Sequence, residues 1–146
     1  MGLVRIIAAL FSRSARPNSG SSDPRHRLGA KGEKLAAKFL RRSGFKVLYR
    51  NYRPKGGGEV DLVCRDGETL AFVEVKTRSS DEFGRPADAV NAEKRELIAR
   101  GARSWLQLLG GRDVVVRFDV VEVIAGGGAP EITLHKAAFV PENTRV

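Results

Sequence analysis

The chain has 146 residues, 42% of them hydrophobic, which suits one domain with one core and calls for no disulfide or structural metal to hold it. Cys64 is the only cysteine and His26 and His135 the only histidines. An internal disulfide is thereby excluded, a reducing compartment is favoured, and a His-rich metal centre or a Ser-His-Asp hydrolase has too few residues to draw on. The formal net charge of +9 is uneven: residues 1–27 carry +4, residues 31–55 carry +8, and residues 56–146 carry −3. A positive charge gathered on the first folded elements is the footprint of a polyanion binder, although a solvated helix face accounts for it equally well.

Met1–Phe11 is apolar but too short to span a bilayer, is interrupted by Arg5, and lacks a charged lead-in and a small-residue cleavage site. A cytoplasmic protein without a membrane partner is expected. Ser12–Arg27 is rich in Ser, Pro and Arg with no apolar period, so residues 1–27 are expected to form a disordered basic tail ahead of a single domain over 28–146. Gly29–Ser43 has helical periodicity and Gly44 stands where a left-handed residue closes the last turn. Phe45–Tyr49 reads as a short strand and Arg53–Gly58 as a loop, with Gly56-Gly57-Gly58 a flexible stretch. Glu59–Cys64 and Thr69–Lys76 are β-rich runs meeting at Asp66-Gly67, a hairpin signal. Asp88 stands as cap to a helix running to about Leu109, with Val90, Leu97, Ile98, Trp105 and Leu108 on its apolar face. Val114–Ile124 follows as a strand and Glu131–His135 as a candidate last one.

The chemistry concentrates on the hairpin. A two-residue loop at Asp66-Gly67 pairs Arg65 with Glu68, sets Asp61 opposite Phe72, and puts Glu59, Asp61, Glu74 and Lys76 on one face. Asp61 and Glu74 become diagonal neighbours about 7–8 Å apart, near enough for their carboxylates to share a cation. Glu74 and Lys76 interrupt Leu70–Lys76, a run otherwise apolar on both faces, as in a central strand. Charges there cost desolvation energy unless a metal or hydrogen bonds compensate them, whereas the same two residues on an exposed strand would be a surface ion pair of little worth. Glu33 lies on the helix face of Ala36, Ala37 and Leu40, without an intrahelical partner, and reads equally as a site residue or as a charge favouring the helix N-terminus. Lys31, Lys34, Lys38, Arg41 and Arg42 form a separate basic stripe free to contact phosphates, and Arg78 is a further candidate contact. Carboxylates with a neighbouring lysine suit Mg²⁺ or Mn²⁺, which takes oxygen ligands, polarises a phosphoryl oxygen and activates water. Lys94 is a candidate phosphate contact that reads more readily as a solvated surface charge, no role follows from the sequence for Glu59, and Arg117 and Asp119 share a strand face on which they can pair.

Taken in order, Gly29-Ala30-Lys31-Gly32-Glu33, Gly58-Glu59-Val60-Asp61-Leu62-Val63, Phe72-Val73-Glu74-Val75-Lys76-Thr77-Arg78, Ala89-Val90 with Lys94, and Arg117-Phe118-Asp119-Val120-Val121 resemble the bacterial YraN family over about residues 28–125. That family looks like a branch of the PD-(D/E)XK nuclease superfamily, which includes Holliday-junction resolvases. The resemblance implies an α/β, restriction-endonuclease-like αβββαβ core with a mixed central sheet flanked by helices. It also implies metal ligation by Asp61 and Glu74, a catalytic Lys76, and a Glu33 that completes the site. Val60 stands where the signature has proline. The expected function is Mg²⁺- or Mn²⁺-dependent endonucleolytic hydrolysis of DNA, branched or structured DNA included, by a chain whose resolvase relatives suggest a homodimer. A nucleic-acid-binding module of the same fold that does not cut is the alternative.

Overall fold

The structure, a computed structural model, describes residues 24–79, 90–110, 112–126 and 128–141. The expected tail lies outside these residues up to position 23. The first helix, α1 (Pro24–Arg42), begins five residues before the expected Gly29. Proline is compatible with a first helical turn, because the N–H it lacks has no intrahelical partner there and its fixed φ is already helical. Gly44, at φ 91°, ends the helix as expected, and the Phe45 N–H closes it on the Leu40 carbonyl at 2.9 Å. Five strands follow the order of the chain across one sheet: β1 (Lys46–Tyr52), β2 (Val60–Asp66), β3 (Thr69–Ser79), β4 (Val115–Ala125) and β5 (Glu131–His135). β3 and β4 are parallel, joined through the second helix, α2 (Ala92–Leu108), and the other neighbouring pairs are antiparallel. This is the mixed α/β sheet flanked by two helices that the motif order implied, consistent with a restriction-endonuclease-like core.

Each helix buries one face of the sheet. Ala36, Ala37 and Leu40 of α1 pack with Phe45, Leu62, Cys64, Ala71, Val73, Val121 and Val123. On the other face Ile98, Ala102 and Trp105 of α2 pack with Val63, Leu70, Phe72, Phe118 and Val120. Covered on both sides, β3 has the continuous apolar run that a central strand requires. Burial pushes the Cys64 thiol up to about 12, with the nearby Asp119 charge adding to it, so the sole cysteine is inert in the folded chain. The second helix differs from expectation at both ends. Asn91 is its cap, accepting the Lys94 N–H at 2.8 Å, whereas Asp88 lies outside the described residues. Leu108, placed on the apolar face by periodicity, is 48% exposed at the end of the helix, whereas Ile98, Ala99, Gly101, Ala102 and Trp105 are buried. Among the described residues no helix is long and apolar enough to cross a membrane.

Candidate functional site

The hairpin register differs by two residues from the one expected. Asp66 pairs with Thr69 and Leu62 with Val73, leaving Gly67-Glu68 as the loop. Only Gly67 takes a positive φ there, the requirement of a type II′ turn with glycine first rather than a type I′ turn. A shift of two preserves which face each side chain occupies, so the apolar pattern is satisfied either way. It changes the partner, however: continued one step beyond Leu62, the register brings Asp61 level with Glu74 instead of diagonal to it. Where that pair would stand, the Asp61 carboxylate accepts the Val75 N–H at 2.9 Å. Its orientation is therefore fixed by the backbone of the strand that carries Glu74 and Lys76.

Glu74 sits near the end of the central strand's buried run at 8% exposure, and its Oε2 has no hydrogen-bond partner. Burial, reinforced by the Asp61 carboxylate, pushes its pKa up to about 9. Lys76 follows two residues later on the same strand face, half-buried, and no ion pair among the described residues engages it. Glu33 reaches the same place from α1. Burial and then the Asp61 charge raise its pKa, opposed by a hydrogen bond from Asn51 and by the charges of Arg50 and Arg53. Its helix is seated by Gly32, where a Cβ would lie 2.1 Å from the Thr77 Oγ1 on β3. Glu33, Asp61, Glu74 and Lys76 are thus brought to one end of the sheet by three elements.

Two further members are Glu59, which the sequence sets on the same strand face without a role, and Lys94, which the sequence does not bring there. Lys94, in the first turn of α2, hydrogen-bonds Glu59 and lies 3.6 Å from Glu74 Oε1. Burial acts against its charge, but Glu59, Glu74 and Asp61 together hold its pKa above the ordinary lysine value. The loop bearing Glu59 meets α2 backbone to backbone: the Glu59 N–H donates to Leu97 O at 3.0 Å, and a Cβ on Gly58 would fall 2.3 Å from the Gly101 nitrogen. Gly58, at φ 98°, is therefore a packing requirement and not merely part of a flexible triplet. Gly58→Ala is expected to combine backbone strain of about 1–3 kcal/mol with an overpacking cost of about 1–3 kcal/mol, read as a lowered midpoint in urea unfolding.

The basic stripe stands where expected, with Lys31, Lys34, Lys38, Arg41 and Arg42 all exposed along α1. Arg50 on β1 and Arg53 just beyond it are also exposed, and their charges act on Glu33. Arg78 does not join the stripe. At 7% exposure it is buried beside Glu122, with 3.5 Å between Nε and Oε2, and so is not presented to a phosphate backbone. Arg117 and Asp119 do pair, through two hydrogen bonds of 2.7 and 2.8 Å, in a cluster completed by Asp66 and Lys136. Asp66 belongs to the hairpin-loop end of β2, whereas Asp61 stands at the start of that strand, so this cluster is separate from the carboxylate site. Among the described residues no group of three or more His, Cys, Asp or Glu is arranged to hold a metal ion. The donor set nevertheless fits a divalent cation in part, since Glu74 presents an unbonded, buried oxygen beside the Asp61 carboxylate.

The model of the uncharacterised protein family UPF0102 matches residues 32–123, a span that includes Glu33, Asp61, Glu74, Lys76 and Lys94. A UPF0102 protein of Anaeromyxobacter dehalogenans is 46% identical over 120 residues, covering 82% of this chain and 89% of its own. One from Nocardia farcinica is 50% identical over 113 residues, covering 77% and 88%, and one from Geobacter metallireducens is 46% identical over 112 residues, covering 77% and 91%. The chain belongs to the uncharacterised protein family UPF0102, the YraN family that its motifs resemble.

Proposed function

We propose that this protein is a divalent-metal-dependent endonuclease of the PD-(D/E)XK type that hydrolyses phosphodiester bonds of DNA, branched or structured DNA included. The observation that carries the reading is Glu74: a buried carboxylate with an unbonded oxygen, beside a second carboxylate and two residues from a lysine outside any described ion pair. Burying such a group is costly unless a cation completes it. Asp61 and Glu74 would hold Mg²⁺ or Mn²⁺, whose chemistry when bound is to polarise a phosphoryl oxygen and make water a nucleophile at neutral pH. Lys76 would orient the attacking water or offset charge growing on the phosphoryl oxygens, and Glu33 would complete the acidic side. The O–P bond forms from water as the bond to the leaving sugar oxygen breaks, and that oxygen takes up a proton. The exposed stripe of α1, with Arg50 and Arg53, would supply the phosphate contacts.

The test pairs binding with cleavage. Calorimetric Mn²⁺ titration is expected to show binding that Asp61→Asn removes. On duplexes, flaps and four-way junctions, Lys76→Ala is expected to lower cleavage by roughly 10²–10⁴-fold while circular dichroism stays unchanged. Intact substrates across that panel in both Mg²⁺ and Mn²⁺ would sink the nuclease reading. One observation favours a binding module that does not cut: Lys94 already supplies positive charge to Glu59 and Glu74. For such a module, neutralising Lys38, Arg41 and Arg42 would weaken salt-sensitive DNA binding while Asp61→Asn left it intact.

A further inference from the structure

Lys94 occupies an unfavourable place for a lysine. The first turn of a helix is the positive end of its dipole, where acidic side chains are stabilising and basic ones are not. Lys94 nevertheless stands there, its own N–H tied to the Asn91 cap, with its ammonium hydrogen-bonded to Glu59 and 3.6 Å from Glu74 Oε1. Both sides of the contact are fixed through backbone: Glu59 by its bond to Leu97 O and by the glycine contact of Gly58 with Gly101, and Lys94 by the cap. The longer of the two interactions points at Glu74, whose other oxygen is unbonded.

We propose that Lys94 is a tethered positive charge beside the carboxylate site that competes with a divalent cation for it, with Glu59 setting the strength of that competition by drawing the ammonium off Glu74. The inference rests on the metal site proposed above. A fixed ammonium beside the ligands repels an incoming dication, so removing its charge raises affinity, whereas removing Glu59 lets the ammonium close fully on Glu74 and lowers it. Lys94 is a positioning residue in this scheme. The two substitutions therefore have opposite signs, and the carboxylate charge lost in Glu59→Gln acts in the same direction as the released ammonium.

The experiment is calorimetric Mn²⁺ titration of the full chain at one pH and ionic strength, with a thermal melt of each protein in the absence of metal. Lys94→Gln is expected to bind Mn²⁺ about tenfold more tightly and to melt at a lower temperature than wild type. Lys94→Arg, which keeps the charge, is expected to stay close to wild type, and Glu59→Gln to bind several-fold more weakly. Wild-type binding that Lys94→Gln leaves unchanged or weakens overturns the inference while leaving the metal site standing. So does a Glu59→Gln shift toward tighter binding, a result that remains informative if Lys94→Gln folds poorly. No Mn²⁺ binding by wild type or by any variant overturns the metal site and this inference together.

Discussion

Glu74→Gln is expected to stabilise the metal-free protein at pH 8–9, and wild-type stability is expected to fall steadily as pH rises toward that range. The sign follows from the direction of the shift. Because the folded-state pKa of Glu74 is raised to about 9 by burial and by Asp61, the folded chain retains a proton that the unfolded chain has released above its ordinary value near 4.5. Stability from this group is fully present below about pH 4.5 and is lost as pH climbs through the folded pKa. The limiting slope for one such group is about 1.4 kcal/mol per pH unit, and the Lys94 charge, which lowers the Glu74 pKa, narrows the pH range over which it acts. A glutamine in that place does not titrate, so the variant's unfolding free energy should vary much less between pH 6 and 9. Saturating Mn²⁺ should flatten the wild-type dependence as well, since a cation compensates the ionised carboxylate. Denaturant midpoints measured across that range check both statements, and parallel curves for wild type and Glu74→Gln would refute them.

Arg117→Ala is the second large effect. Asp119 is fully buried and takes two hydrogen bonds from Arg117, retaining otherwise the Ala137 N–H at 2.9 Å. Deleting one partner of a buried pair costs about 3–5 kcal/mol, a sizeable part of what holds a domain of this size together. The loss extends to Asp66, whose carboxyl is held below the usual range by its hydrogen bonds to Arg117 and then Lys136. A combined Arg117→Met and Asp119→Leu replacement should recover most of the stability, because it leaves no buried charge behind. Urea unfolding of the single and double variants checks this, and a single variant as stable as wild type would show the pair to be dispensable.

The features legible in the sequence were those written in local pattern. Ala36, Ala37 and Leu40 at helical spacing, Gly44 at a helix end, and the apolar run into Glu74 each declare their element without knowledge of the rest. The hairpin register was out by two because alternation survives a shift of two, and because a lone glycine satisfies either of two turn types depending on its place in the loop. The Pro24 start was hidden by a composition that reads as tail. Arg78 read as a phosphate contact because nothing local reveals Glu122 on the neighbouring strand. Lys94 reads from sequence as a solvated charge or a phosphate contact, because its partners Glu59 and Glu74 are distant in the chain and the packing that joins them depends on Gly58 and Gly101 meeting, a contact with no periodicity. Asp61 and Glu74 were found through the strands that carry them, the residue that counterbalances them only through the fold.

The parallel union of β3 with β4 has a consequence for the order of assembly. The β2–β3 hairpin closes over two residues and is quick to form, while β3 and β4 can meet only after the whole α2 crossover has been laid down. The pairing that sets Asp61 level with Glu74 is thus short-range in the chain, whereas the contact of Lys94 with Glu74 is made only through the docked α2.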